Sequence, residues 1–208
     1  AGDPEWVPAV DVHGEGVFLR FSEAAVARWQ TRATAVARER SLGLGHASWR
    51  SDRKLDPTVG YPGARFTMLH TFAHLLIREL SLECGYSAAS VRERIYADSD
   101  PASPMAGVLI YTASADSDGT LGGLVDLGRP EMLGRLIDQA LSRARICSSD
   151  PLCGEHDAHE DGSLHGAACH SCTFVSETSC ERGNRYLDRA LLVGVPGAED
   201  AAFFSLEV

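Results

Sequence analysis

The chain is 208 residues long, 44% hydrophobic, and carries a formal net charge of −10. A chain of this size can bury a real core as one domain with at most a small satellite lobe, and none of its apolar runs approaches the roughly 18 residues of a membrane span. The acidic excess is concentrated. Residues 147–181 hold seven Asp and Glu side chains and no Lys or Arg, so this region cannot supply the basic face with which a domain binds nucleic acid.

In chain order, residues 6–12 and 16–21 alternate enough to predict two short strands around the turn His13-Gly14-Glu15. Ser22 reads as an N-cap. Residues 23–40 follow with helical periodicity through Ala25, Val26, Trp29, Ala33 and Val36. From 41 to 63 glycine, proline and charge dominate and predict a long loop, which needs a functional reason. It holds His46, Trp49, Arg50, Arg53, Lys54 and Tyr61. Such a mixture can stack on and neutralise a nucleic-acid strand, or it can dock a neighbouring domain, which is the favoured reading.

The clearest helix spans 66–84, with Gly85 as its C-cap. Leu69, Phe72, Ala73, Leu76, Ile77 and Leu80 form a core-facing stripe. His70 and His74 lie one turn apart, a spacing able to hold a metal, but the protease form of that motif needs Glu after the first His and here Thr71 stands there. Histidines beside an apolar stripe read as hydrogen-bonded core residues. A short helix over 88–96 and a loop over 97–106 lead to GVLIYT (107–112), the best buried strand in the chain. The glycines that follow, 119–123, lack the Lys and Ser/Thr of a P-loop and do not spell GxGxxG, so close backbone packing is their expected use. Residues 130–145 predict a helix with Pro130 in its first turn and Arg143 and Arg145 at its carbonyl end. Residues 182–192 predict another, with Asn184, Asp188 and Arg189 at polar positions, and 201–208 a closing strand.

Five of the six cysteines fall between 147 and 180. The tightest element is Cys169-His-Ser-Cys172, whose two-residue spacing lets both sulfurs bite one tetrahedral ion. Cys147 and Cys153 supply a second pair, and Gly154, Gly162 and Gly166 free the intervening loop to fold back. With no Lys or Arg in the stretch, a divalent cation is what neutralises the thiolates. The expectation is a structural Zn2+ held by Cys147, Cys153, Cys169 and Cys172. Cys180 can take the place of Cys147, and His156, His159, His165 and His170 are chemically able to bind. Disulfides fit less well, because there is no apolar signal segment from Ala1 onward and no framework spacing; Ala1 is not an initiating residue, so the segment reads as excised from a longer chain. A redox role also fits less well, since a thioredoxin-like CxxC opens a helix after a strand, whereas this one follows an acidic loop.

The order of these features carries a resemblance: His70-Thr-Phe-Ala-His74-Leu-Leu, the strand with Ile110-Tyr111, then Gly119-Thr-Leu-Gly-Gly-Leu, a helix, Cys147 and Cys153, Cys169-His-Ser-Cys172, and Asn184-Arg-Tyr-Leu-Asp-Arg. Over about 66–192 the chain resembles the MrfA-type helicase-associated zinc-binding domain, and within it most closely the C-terminal region of the DrmB type from the DISARM anti-phage defence system. In helicase-fused relatives the cysteines lie near C-x-C-x2-G-C-x2-C. Here five residues separate Cys147 from Cys153, and fifteen separate the two pairs.

The resemblance implies a non-catalytic, cytoplasmic accessory domain that partners a DrmA-like superfamily 2 helicase and meets foreign DNA through that complex. The expected fold is α+β, with mixed helices and a small sheet beside a four-cysteine zinc-binding loop region. It divides into an N-terminal part with the docking loop (1–63) and the zinc-binding domain (64–208). Two alternatives are carried: a zinc module of a DNA-repair helicase system, and a metal-dependent hydrolase using His70, His74 and Asp116 or Asp118. The chain has no Ser or Cys elbow, Walker lysine or carboxylate pair on a recognisable catalytic frame to support the hydrolase.

Overall fold

The computed structural model describes residues 5–9, 11, 13–85, 87–112 and 123–204. Its elements are β1 (Gly16–Arg20), α1 (Glu23–Gln30), α2 (Ala33–Asp52), α3 (Gly63–Cys84), β2 (Val91–Tyr96), β3 (Gly107–Thr112), α4 (Gly123–Leu127) and α5 (Pro130–Ala144), with short 3-10 turns at Ala88–Ser90 and Arg189–Leu191. The fold is α+β. The strands form one antiparallel sheet in the order β1-β3-β2, with Gly16 opposite Tyr111 and Val91 opposite Thr112. GVLIYT takes the central place, as its nearly continuous apolar run leads one to expect.

Helix α3 is the axis of the molecule. It packs against α2, α5, β2, β3 and the Arg189–Leu191 turn, and almost every position from Ala64 to Leu80 is buried, polar ones included. The predicted stripe is therefore only part of its buried surface; a helix covered on all sides has no solvent face to be polar. Gly85 ends it at φ +69°, the left-handed conformation glycine adopts without a Cβ penalty. Helix α5 turns Leu133, Leu136, Ala140, Leu141 and Ala144 inward. Residues on both sides of position 63 enter one core cluster, from Val26 and Trp29 to Leu191 and Val193.

Several predicted elements are corrected. Residues 6–9 and 11 are irregular, and Trp6 and Val7 are exposed. The helix expected over 23–40 is two helices broken at Thr31-Arg32, where Arg32 takes an extended ψ of 136° as the N-cap of α2. The long loop expected over 41–63 is instead helical to Asp52. Glycine at 43 and 45 argues locally against helix, but Gly45 lies under the Cys147–Cys180 segment, where a Cβ would stand 2.5 Å from the Ala158 carbonyl oxygen. Close packing outweighs propensity there. The helix expected over 88–96 is a 3-10 turn followed by β2, whose V-R-E-R-I-Y alternation buries Val91, Glu93 and Ile95.

The helix expected over 182–192 is also absent, because Gly183, Asn184 and Tyr186 all have φ near +59°. Asn184 makes paired bonds to both the N–H and the C=O of Val175, a local alternative to helix of the kind Asn favours. Residues 201–204 form no strand, although Phe203 and Phe204 pack on Phe21, Trp29 and Phe72; residues 205–208 lie outside the described residues.

Candidate metal centre

Helix α5 delivers the chain directly to Cys147. There the backbone turns, the Cys147 N–H donating to Asp150 Oδ2 at 2.7 Å and the Ser149 N–H donating to Cys147 Sγ at 3.4 Å. At the other half-site the N–H groups of Cys172, Thr173 and Phe174 all converge on the Cys169 carbonyl, at 3.2, 3.0 and 3.1 Å, which folds C-H-S-C into a tight knuckle.

The four sulfurs of Cys147, Cys153, Cys169 and Cys172 come within 4.8 Å of one another. Cys147 Sγ lies 3.5 Å from Cys169 Sγ, and Cys172 Sγ lies 3.7 Å from both Cys153 Sγ and Cys169 Sγ. A Zn–S bond of about 2.3 Å implies a tetrahedral edge of about 3.8 Å, so these spacings match a sulfur tetrahedron. All four thiols are free, and a disulfide would bring two sulfurs to about 2.05 Å. The geometry is that of a structural Zn2+ site.

The electrostatics also favour a cation. A hydrogen bond from the Cys153 thiol holds Cys172 down at about 5, against the opposing effect of burial. That same bond, with burial, pushes Cys153 up. The sequence reading placed no basic group near the sulfurs, and here it is corrected. Arg189, fully buried and 36 residues after Cys153 in sequence, pairs with Asp150 and donates to the Ala144 carbonyl at 3.0 Å, and its charge interacts with Cys153 and Cys172.

Cys180 stands apart from this quartet. Its sulfur lies with His70, His74 and Glu93 in a second group whose ligand-capable atoms also fall within 4.8 Å of one another, all four residues buried. The two histidines have the carbonyl partners expected of core residues: His70 Nδ1 lies 3.1 Å from Tyr186 O and His74 Nδ1 lies 2.9 Å from Thr173 O. Their other nitrogens meet Glu93 Oε1, at 2.8 Å from His70 Nε2 and 3.4 Å from His74 Nε2. Sequence reasoning missed Glu93 and the place of Cys180. The period-2 pattern around Glu93, which points it to the same face as Val91 and Ile95, was the available signal.

The remaining candidate histidines join neither group. His156 and His165 stack at 4.7 Å, with His156 Nε2 bonded to Ser163 Oγ; His170 packs edge-on against Phe174. Asp116 and Asp118 lie outside the described residues. Trp49 lies on α2, half-buried, with the Arg53 guanidinium 3.9 Å from its ring centre, and Tyr61 donates from its hydroxyl to the Glu39 carbonyl at 3.1 Å.

Comparison with known proteins agrees with this geometry. Residues 72–173 match the family described as MrfA Zn-binding domain, a span that takes in all four cysteines of the quartet. Over these residues the chain is similar to an MrfA Zn-binding domain, and the four-cysteine cluster within them could hold a metal ion. The chain is also closely related to the DISARM protein DrmB of Bacillus paralicheniformis, with 43% identity over 204 residues. That alignment takes in 98% of this chain and 36% of the relative, so the chain spans about a third of the length of the curated protein it matches. Among the described residues no helix is long and apolar enough to cross a membrane.

Proposed function

We propose that this chain is the zinc-stapled accessory module of a DISARM system, and that its zinc is ligated by Cys147, Cys153, Cys169 and Cys172. The observation that carries this reading is the 43% identity to DrmB across nearly the whole chain; the tetrahedral sulfur spacings support the ligand set. The module partners a DrmA-like superfamily 2 helicase in the cytoplasm, supplies none of its ATP chemistry, and meets foreign DNA through the complex. When bound, the zinc supplies structure: it neutralises thiolates and joins the end of α5 to the Cys169–Cys172 knuckle. Arg189 and Asp150 tie that junction to the end of α5 and the core.

The surface proposed for docking is the end of α2 and the turn after it, with Trp49, Arg50, Arg53 and Lys54, where Arg53 and Arg185 both lie over the Trp49 ring. A deletion of the neighbouring helicase gene, together with co-purification of the full-length protein and that helicase, tests the reading. The expected result is a stable complex whose ATP hydrolysis resides in the helicase, lost resistance to phage when either gene is deleted, and association weakened when Trp49 is changed to Ala. ATP hydrolysis by the DrmB-like protein alone, or no helicase bound to it, overturns the proposal. The family match to the MrfA domain favours one second reading, a zinc module in a DNA-repair helicase system. Sensitivity to DNA damage rather than to phage in the deletion strain selects it.

A further inference from the structure

We propose that His70, His74, Glu93 and Cys180 form a second, structural zinc site, separate from the four-cysteine quartet. It rests on side-chain chemistry and stands whether or not the DISARM reading is correct.

The first observation is convergence of acceptors. Each histidine directs Nδ1 to a backbone carbonyl, His70 to Tyr186 O and His74 to Thr173 O. A carbonyl accepts only, so Nδ1 carries the proton and Nε2 of the neutral ring presents a lone pair. Both lone pairs are aimed at the group formed by Glu93 and Cys180: His70 Nε2 lies 2.8 Å from Glu93 Oε1 and 3.1 Å from Cys180 Sγ, and His74 Nε2 lies 3.4 Å from the same carboxylate oxygen. With both rings neutral, two imidazole lone pairs, a carboxylate and a sulfur face one point, and a cation among them satisfies all four.

The second observation is independent of the first. Of the buried polar side-chain atoms without a hydrogen-bond partner among the described residues, two belong to this one cluster, His74 Nε2 and Glu93 Oε2. Buried polar atoms in folded proteins are nearly always satisfied, and orphans that gather at one place point to a ligand. All four side chains are buried, with His70 and His74 at 0% exposure and Glu93 at 3%.

The sulfur is also arranged as a thiolate. Cys180 Sγ accepts the N–H groups of Arg182 at 3.4 Å and Asn184 at 3.2 Å, as Cys147 Sγ in the quartet accepts that of Ser149. Donors on sulfur stabilise the charged form. Zn2+ with one carboxylate, one thiolate and two neutral imidazoles gives a shell of zero net charge, which suits a dry interior better than a buried carboxylate and thiolate without a cation. Two nitrogens, one oxygen and one sulfur are all donors zinc accepts, at tetrahedral edges of about 3.3–3.6 Å, so the observed shell needs only a small outward shift. Four protein donors in a buried setting leave no open position, which makes the site structural and not hydrolytic.

The two sites share a segment. Thr173, whose carbonyl orients His74, directly follows Cys172 of the quartet, and Cys180 lies eight residues beyond it. The second ion thereby staples the far end of the same loop to α3 and β2, elements the four-cysteine site does not reach.

The decisive experiment is diffraction from the wild-type full-length protein, purified without chelator, with anomalous data collected on both sides of the zinc edge. The expected result is one peak among the four cysteines and a second among His70, His74, Glu93 and Cys180. No peak at the second position overturns the proposal, whatever the variants do. Metal analysis of full-length Cys180→Ser and Glu93→Gln is expected to show one zinc equivalent fewer than wild type. Either of them combined with Cys169→Ser should lose two. A folded Cys180→Ser protein with wild-type zinc content equally overturns the assignment, and if that variant does not fold the diffraction result decides alone.

Discussion

The two halves of this molecule hold their shape by different means. Around α3 and the three-stranded sheet, regular elements bury aliphatic side chains and satisfy their own backbone groups. From Cys147 to Phe204 the described chain contains only one 3-10 turn as a helical element and one isolated bridge between Val195 and Ala198, yet Leu187, Ala190, Leu191, Leu192 and Val193 are completely buried. Buried backbone without helix or sheet must find partners one group at a time. Here single side chains supply them. Asp188 bonds to the N–H groups of Ala167 and Ala190 and to Arg38, while its own N–H donates to Thr71. Asn184 closes on Val175, and Arg189 on Ala144 and Asp150. The first half degrades gradually when a contact is lost; the second depends on a few charged, amide and sulfur groups whose loss is not shared out.

The largest break in that contrast comes from the metal. Chelation, or Cys172→Ser, should remove zinc worth on the order of 10 kcal/mol, as much as the whole stability of an ordinary domain. Amide exchange should open first between 145 and 193, followed by α3, which loses the cover of Leu187 and Leu191. A protein whose melting temperature is unmoved by chelator does not use zinc as a staple.

Asp188→Ala should rank next, at about 3–5 kcal/mol, because it leaves the Arg38 guanidinium without its partner and strips two buried N–H groups of their acceptor. Thermal unfolding measures it, and a loss under about 1 kcal/mol would mean the irregular half is held by apolar burial after all. In the regular half, Leu76→Ala removes a fully buried side chain of α3. It should cost about 2–5 kcal/mol through lost transfer energy and a cavity, with zinc content unchanged. Loss of metal in this variant would show that the two halves are not energetically separable.

What was legible in the sequence follows the same division. Helices α3 and α5 and strand β3 announce themselves through periodicity and long apolar runs, and the quartet through spacing, because each of these signals is local. The rest was decided by distant partners. The continuation of α2 through Gly43 and Gly45 is set by distant packing, Gly43 beside the Tyr61 ring and Gly45 under Ala158. Strand β2 is too short for its alternation to outweigh a helical reading of residues 88–96. The run 182–192 has helical composition, but left-handed residues at 183, 184 and 186 bend it so that the Tyr186 N–H reaches Leu164 O at 2.8 Å and the Tyr186 hydroxyl reaches His46. The group of His70, His74, Glu93 and Cys180 draws on α3, β2 and the Cys147–Cys180 segment, three segments with no shared motif. Only the i,i+4 histidines were visible, and without their partners they read as core.

The smallest effect tests where the halves touch. Asp157 anchors the Cys147–Cys180 segment to α2: its Oδ2 accepts from Ser41 Oγ at 2.6 Å, and its Oδ1 accepts the N–H groups of His159 and Glu160 at 2.9 and 3.1 Å. Partial burial works to raise its pKa. The bonds from Ser41, Glu160 and His159, with the Arg38 charge, overcome that and hold it below the usual carboxylate value. A depressed folded pKa contributes stability that is present above the unfolded value, near 3.9 for Asp, and is lost as pH falls through the folded value. Asp157→Asn keeps the size but not the charge. It should cost about 1 kcal/mol near neutral pH and flatten the fall in stability on the acid side of pH 4. Denaturant melts of both proteins from neutral pH downward measure this. If the two curves stay parallel through the acid range, the carboxylate is not what joins this segment to α2, and the contact reduces to the packing of Gly45 beneath Ala158.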